Sequence, residues 1–440
     1  MPSSSLSRLS GWLLILPALF APASLLAQLP TPDSAAEPVA LDRLVVSATR
    51  SPQDLHTIPS DVTALAMDDL AVQQIGDLRT ALSQQPGVLV LNTGAFGAVS
   101  SVSIRGANAY QTLFIVDGVR MNDRAADYGN FLGGVDLVNM SRIEVLRGPQ
   151  STLYGSSAMG GVILIDSVEG QGSTTGKVSA VGGSFATWGG SAGASGSMGG
   201  LSYSGSLTHF STANDRAYND FRDWNFATRV AYRVNTHLEV GATFRGFDAR
   251  YEEPGSTAFP APGSINEQNY LTTVFAQVRF GDAFTSKLTL GLHHRLYDYL
   301  SAYGDSPLSN VRQILDWQNT WEVSRRVEIV AGTNVENSHF TVDGGRTTDR
   351  LGAGYVSTTV HPVDDITLDA GLRYDDYKSF GGATTYRLGA AWNPSPNTKV
   401  HSTLGTGFSA PGSDDRYGVP AFSQLPNPDL KPEKSTGWDV

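Results

Sequence analysis

The feature that most constrains the fold is a strict two-residue alternation of apolar and polar side chains, which recurs from about residue 176 onwards. In the segment 368–375, one face carries Leu, Ala, Leu and Tyr, and the other carries Asp, Gly, Arg and Asp. Successive side chains of a strand point to opposite faces, so this pattern predicts β-strands with one apolar face. Similar segments begin near residues 226, 238, 272, 288, 327, 386 and 400.

The alternation fits both a soluble β-sandwich and a membrane β-barrel. Two features favour the barrel: the segments have about ten residues, the length of a tilted membrane strand, and their apolar faces often end in aromatic residues. These aromatic residues are Phe226, Phe244, Phe280, Tyr374 and Trp392. Only a closed barrel satisfies the backbone of β-strands inside a bilayer. We therefore expect a transmembrane antiparallel β-barrel over residues 167–440.

The N-terminus has the pattern of a secretory signal peptide. A polar start with Arg8 precedes an apolar stretch over 11–26, and the small residue Ala27 offers a cleavage point. A membrane anchor is the alternative, but Pro17 and Pro22 interrupt a stretch that is shorter than the roughly 20 apolar residues of a span. The sequence predicts a signal peptide over 1–27 and export of the mature chain.

Residues 28–57 are predicted to be a linker that carries one short β-forming run at 41–49. A lone strand cannot satisfy its own backbone. It therefore joins the sheet of the following domain or waits for the edge strand of a partner protein, and we favour the internal pairing.

Residues 58–166 are predicted to form a compact α+β domain. Apolar residues at Leu70, Ile75, Leu78 and Leu82 predict one amphipathic helix over 68–82. Short apolar runs predict five strands, at 88–91, 102–105, 113–116, 143–146 and 162–165.

The composition excludes several functions. The chain has 31 Lys plus Arg and 42 Asp plus Glu, a net charge of −11, which argues against binding of nucleic acid. It has no Cys, and therefore no thiolate metal site or cysteine nucleophile. The run 189–193 has the spacing of a nucleophile elbow but precedes no helix, and we expect no enzymatic activity.

Several longer motifs resemble the plug signatures of TonB-dependent outer-membrane receptors. They lie at 103–106 (Ser-Ile-Arg-Gly), 113–122, 143–155 and 158–163. The run 42–48 is similar to the TonB box of that family, and 427–435 resembles a segment of its barrel. The resemblance implies an α+β plug domain, here 58–166, inside a transmembrane antiparallel β-barrel of 22 strands.

The length of the chain conflicts with 22 strands. Residues 176–440 would leave about twelve residues for each strand and its connection, although the strands alone need about 9–11. We count about 13–14 candidate strands, which would enclose a lumen too narrow for the plug domain. The sequence also stops inside a strand pattern at Trp438. We therefore expect a chain truncated within the barrel, which by itself would not form a stable pore.

The resemblance also implies site residues. Leu44, Val45, Val46, Ser47 and Ala48 of the TonB box would pair, as an added strand, with the energy-transducing protein TonB.

Two plug residues, Arg105 and Arg147, would pair with carboxylates of the barrel wall and keep the plug seated. The alternative is that carbonyl groups within the plug satisfy both arginines.

A cluster of acidic side chains resembles the calcium-binding loops of cobalamin receptors in the same family. Ca²⁺ prefers oxygen ligands of this kind, although solvated loop acids are the alternative. No other cofactor is required. The calcium candidates are Asp215, Asp220, Asp223 and Asp248.

These expectations describe an active transporter of the outer membrane, with TonB and membrane lipid as partners. Its ligand would be a scarce, large nutrient: cobalamin first, a ferric siderophore second and haem third. A passive porin or structural barrel is the alternative class, but such a protein has no use for a plug or a TonB box.

Overall fold

The computed structural model describes residues 44–45, 49–92, 94–122, 137–258, 260–301, 304–342, 345–418 and 425–440. The predicted signal peptide and most of the predicted linker lie outside these residues. Among the described residues, no helix is long and apolar enough to cross a bilayer.

A two-stranded sheet and the plug domain come first in the chain. The two-stranded sheet consists of β1 (Leu44–Val45) and β2 (Gln53–Asp54). The plug contains β3 (Val62–Ala66), α1 (Met67–Val72), α2 (Leu78–Ser83), β4 (Val88–Asn92), β5 (Ser100–Ile104), a 3₁₀ turn (Ala109–Gln111), β6 (Thr112–Val116), β7 (Val119–Arg120), β8 (Met140–Arg147), α3 (Ser151–Tyr154) and β9 (Gly161–Ser167).

The prediction of one helix over 68–82 is wrong, because the structure has two short helices there. Gln74 adopts a left-handed conformation with φ of 58°. The N–H of Ile75 then donates to the Leu70 carbonyl at 2.9 Å, which closes α1 as a Schellman motif does. Asp77 starts α2, since its side chain accepts from the Thr80 N–H at 2.9 Å. The five predicted strands are found as β4, β5, β6, β8 and β9, whereas the sequence analysis missed β3.

Five strands of the plug form one sheet in the order β3-β8-β9-β6-β7, in which β6 and β9 run parallel. The helix α2 packs on this sheet through Leu78 and Leu82, which are completely buried with Ile104, Ile143 and Ile163. Because β6, β8 and β9 are buried along most of their length, they read as continuous apolar runs.

The second sheet has 14 antiparallel strands in sequential order, as the count of 13–14 predicted. We call it the barrel sheet. Its strands are β10 (Thr175–Gly183), β11 (Thr187–Met198), β12 (Leu201–Thr212), β13 (Phe221–Arg233), β14 (Leu238–Gly255), β15 (Pro260–Phe280), β16 (Phe284–Ser301), β17 (Gly304–Ser324), β18 (Val327–Val342), β19 (Gly345–Val363), β20 (Ile366–Tyr377), β21 (Gly381–Ser395), β22 (Thr398–Ser409) and β23 (Glu433–Asp439).

The outer strands of the barrel sheet are not joined to each other. In the described part of the chain, β10 pairs only with β11 and β23 only with β22. The helix α4 (Ser413–Tyr417) lies between β22 and β23.

The two ends of the barrel sheet differ. At one end, which we call the short-turn end, strands are joined by the turns 199–200, 234–237, 281–283, 325–326, 364–365 and 396–397. The opposite end, the loop end, includes the segment 213–220 and the connection from β22 to β23. The groups of the candidate site are located relative to these two ends.

Candidate functional site at the plug and barrel interface

The predicted TonB box contributes a strand in the structure. β1 pairs antiparallel with β2, with Leu44 opposite Asp54 and Val45 opposite Gln53. The strand thus pairs within the chain, but in a separate two-stranded sheet and not in the five-stranded sheet of the plug. The other predicted box residues, Val46, Ser47 and Ala48, lie outside the described residues, and a role of the box in TonB binding stays a prediction.

Arg50, which lies between β1 and β2, connects this hairpin to the barrel sheet. Its guanidinium forms an ion pair of 3.2 Å with Asp316 on β17, and its side chain is only 12% exposed. The guanidinium also stacks 4.8 Å from the ring centre of Tyr355. Burial lowers the pKa of Arg50, but Asp316 together with Tyr355 and Tyr154 outweighs this effect, so the pKa lies above its usual value. The Arg50 guanidinium therefore stays charged at any physiological pH.

The residues after Arg50 are held at the short-turn end. Gln53 donates to the Glu328 carboxylate at 3.2 Å, and Glu328 is the second residue after the turn 325–326. The Lys399 ammonium, beside the turn 396–397, donates to the Leu55 carbonyl at 3.1 Å. The hairpin of β1 and β2 consequently lies beside the short-turn end of the barrel sheet.

The two predicted seating arginines have different partners. Arg105 pairs with Asp61 of the plug at 2.9 Å and also with Asp439 on β23. Arg147 pairs with Asp61 at 3.2 Å and donates to the Pro86 carbonyl at 2.8 Å. Only Arg105 of the two contacts the barrel sheet through these interactions, while Arg147 has the internal partners that the alternative described. Their role in seating stays a prediction.

The sequence analysis missed a larger set of contacts, in which cations of the barrel sheet donate to carbonyls of the plug. Arg245 donates to the Asn139 carbonyl at 3.0 Å. Arg387 donates to the Pro59 carbonyl at 3.2 Å. The available signal was that each arginine occupies a polar, inward-facing position of an alternating strand.

Arg312 on β17 is the most buried of these cations. Its guanidinium donates to the Asn122 carbonyl at 2.8 Å and to the Arg120 carbonyl. It also contacts Nδ1 of His293, and Nε2 of His293 is hydrogen-bonded to the Asn269 side-chain oxygen at 2.8 Å. The end of the plug segment 119–122 is thereby fixed to a polar network of the barrel wall.

Two hydrogen bonds, each donated by a main-chain N–H, join the plug to β22 and to the residue that follows it. The Ser157 N–H donates to the Phe408 carbonyl at 3.0 Å, and the Ala410 N–H donates to the Ser156 hydroxyl at 2.8 Å. These bonds orient the segment after α3 against the wall.

At the loop end, an aromatic cluster joins the plug to the barrel sheet. The ring centre of Phe96 lies 4.6 Å from that of Phe210 and 5.6 Å from that of Phe221. Gly97 has φ of 86°, and a Cβ atom there would lie 2.0 Å from the Phe221 ring. Only glycine fits at this close approach.

A buried ion pair and a small cavity lie near this cluster. Arg295 forms an ion pair of 2.9 Å with Glu267, which also accepts a hydrogen bond of 3.2 Å from the Tyr251 hydroxyl. The cavity has a volume of 80 Å³ and is lined by residues of both the plug and β12 to β15, among them Met121, Met140, Asn225, Phe247 and Leu271. Aromatic, apolar and charged groups thus converge at the loop end.

The calcium candidates do not converge in the described residues. Asp223 is buried on the inward face of β13, where its carboxylate accepts from the Phe210 N–H at 3.0 Å. Asp248 is exposed on the outward face of β14 and accepts from Gln268 at 3.1 Å. Asp215 and Asp220 lie in the segment 213–220. No group of three metal-ligating side chains is found among the described residues, and calcium binding stays a prediction.

Comparison with known proteins identifies the class. Residues 54–162 match the TonB-dependent receptor plug domain, and residues 167–440 match the TonB-dependent receptor-like β-barrel. The chain belongs to the TonB-dependent receptor family.

Particular relatives differ in ligand. The chain is 26% identical over 429 residues to the vitamin B12 transporter BtuB of Photobacterium profundum, covering 94% of this chain and 69% of that protein. It shares a fold with the siderophore receptor PirA of Acinetobacter baumannii (TM-score 0.70, 18% identity, 86% of this chain and 67% of that one). It also shares one with FpvA of P. aeruginosa bound to pyoverdines (TM-score 0.76, 16% identity, 90% of this chain), of which it spans 62%.

We predict that Arg312→Met loosens the plug segment 119–122. Two carbonyls would lose their donor, and an unsatisfied buried carbonyl costs about 1–3 kcal/mol. The Met121 N–H donates to the Phe114 carbonyl at 2.8 Å. In the variant it should exchange with deuterium at least ~10-fold faster than in the unmodified protein. Arg326→Met is the control, because Arg326 lies in a turn and is 61% exposed. Unchanged exchange in Arg312→Met would contradict the assigned contact.

Proposed function

We propose that the chain is the plug and part of the barrel of an active transporter that imports a large nutrient across an outer membrane. The observation that carries the proposal is the combination of two features. The plug is bonded to the inner face of the barrel sheet, and a strand before the plug starts at the short-turn end. A passive porin or a structural barrel needs neither feature.

The transport step requires a source of work. A barrel wide enough for a large nutrient would leak without a plug, and a plug that blocks the barrel also traps the bound ligand. In the proposed mechanism, TonB pairs with β1 by strand addition and pulls on the N-terminal segment. Arg50, Gln53 and Lys399 lie where that force would first reach the plug and the barrel sheet.

This mechanism assigns the two ends of the barrel sheet. TonB acts from the periplasm, so the short-turn end would face the periplasm and the loop end the outside of the cell. The aromatic cluster around Phe96 and the Glu267–Arg295 pair would then lie on the side from which the ligand arrives. The chain performs binding and transport in this account and no catalysis.

Cobalamin is our first choice of ligand and a ferric siderophore our second. The likeness to a vitamin B12 transporter extends over 94% of the chain, which supports cobalamin. The shared folds of PirA and FpvA support a siderophore, but these receptors are only 18% and 16% identical to the chain.

The ligand is tested by uptake. A strain without cobalamin and siderophore receptors, given the complete gene, should take up labelled cyanocobalamin to concentrations above those in the medium. Uptake should stop when the proton gradient is collapsed. Uptake of a ferric siderophore with no uptake of cobalamin would replace the first choice by the second. Uptake of small solutes that survives loss of the gradient would contradict active transport.

We predict that Val45→Pro abolishes uptake and leaves ligand binding unchanged. Proline removes a backbone donor and is poorly tolerated in a strand that pairs on both sides, whereas the ligand would bind at the opposite end. Uptake and equilibrium binding are measured on the same cells. Val45→Thr is the control, since main-chain pairing tolerates the change of side chain, and should transport normally. Normal uptake by Val45→Pro would exclude strand addition at β1.

A further inference from the structure

Two arginines face each other on the outer surface of the barrel sheet. Arg222 on β13 lies directly opposite Arg250 on β14, and both side chains are exposed. Directly opposed side chains have Cβ atoms about 4.5–5.5 Å apart, and like charges in such a pair destabilise the sheet. Among the described residues, neither guanidinium has an ion pair or a hydrogen bond.

The arginine pair lies just beyond a row of aromatic residues. One step towards the middle of the strands, His209 stacks on Trp224 and meets Trp188 edge to face, with ring centres 4.3 Å and 4.6 Å away. The next step contains Phe226 and Tyr270, whose ring centres are 6.3 Å apart. Aromatic rows of this kind mark the membrane interface. A step of two residues is about 7 Å, which places the arginines at the level of lipid headgroups.

The acidic side chains near the arginine pair form no ion pair with it in the described residues. Asp248, next to Trp224, accepts from Gln268 at 3.1 Å. Glu252 lies two residues beyond Arg250 on the same face. In the part of the chain that the structure describes, none of these carboxylates forms an ion pair with Arg222 or Arg250. An anion from outside the protein would therefore meet two unpaired guanidinium groups.

We propose that Arg222 and Arg250 together bind the phosphate of an anionic lipid headgroup in the leaflet around the loop end. Guanidinium groups donate two parallel hydrogen bonds to phosphate oxygens, and one phosphate between two of them replaces repulsion by attraction. The acyl chains of the same lipid would lie against the aromatic row. The inference rests on the proposed function only in placing this sheet in an outer membrane.

The test is a binding titration of the full-length protein in neutral detergent, read by native mass spectrometry. The probes are diphosphorylated lipid A, the same lipid without phosphates, and inorganic phosphate as a competitor. The protein should bind the phosphorylated lipid at least ~10-fold more tightly than the dephosphorylated one. The double variant Arg222→Gln/Arg250→Gln should lose this preference, and Arg222→Lys/Arg250→Lys should keep part of it.

The control removes the same charge at the opposite end. Arg325→Gln/Arg326→Gln changes two exposed arginines of a short turn and should bind as the unmodified protein does. A preference that survives in Arg222→Gln/Arg250→Gln, with the barrel folded by gel mobility, would overturn the proposal. Displacement of the lipid by an equal concentration of inorganic phosphate would also overturn it, because the site would then recognise free phosphate. Nutrient uptake, measured separately, tests the proposed function and not this site.

Discussion

The hydrogen bonds that barrel cations donate to plug carbonyls are the interaction on which the remaining structure depends. A hydrogen bond to a charged group contributes about 1.5–3 kcal/mol, and Arg245, Arg312, Arg387 and Lys399 provide such bonds around the plug. These contacts hold the plug firmly, yet each group can exchange its partner for water. An apolar interface of the same extent would resist separation much more strongly, since all of its surface would have to be hydrated. The polar interface thus suits a plug that stays seated at rest and is rearranged under force.

The N-terminal hairpin combines a weak element with a strong attachment. β1 and β2 have two residues each, and so short a ladder is marginal in isolation. The residues that follow are attached through the buried pair of Arg50 and Asp316. In the proposed mechanism, a partner strand could therefore displace the ladder easily, while a pull along the chain would reach the barrel wall at Arg50.

The alternation of side chains was sufficient to predict the barrel sheet, because each strand repeats the same signal independently of its neighbours. The break between α1 and α2 was not predictable in this way, since it depends on one left-handed residue, Gln74, inside an otherwise helical pattern. The partners of Arg147 and the opposite faces of Asp223 and Asp248 depend on strand register. Register is set by packing between segments that are distant in the chain, which is also why the carbonyl-binding role of Arg312 and Arg387 escaped the sequence analysis.

A disulfide across the interface tests most directly that the plug is seated against the barrel wall as described. A Cβ atom at Gly371 on β20 would lie 2.9 Å from the Thr152 side chain of α3, which is compatible with the Cβ separation of about 3.5–4.5 Å in a disulfide. The chain has no Cys of its own, so Thr152→Cys/Gly371→Cys introduces the only pair. We expect nearly complete crosslinking in intact outer membranes under mild oxidation, read as a mobility shift that a reductant reverses. Free thiols at both positions in a folded barrel would contradict the account.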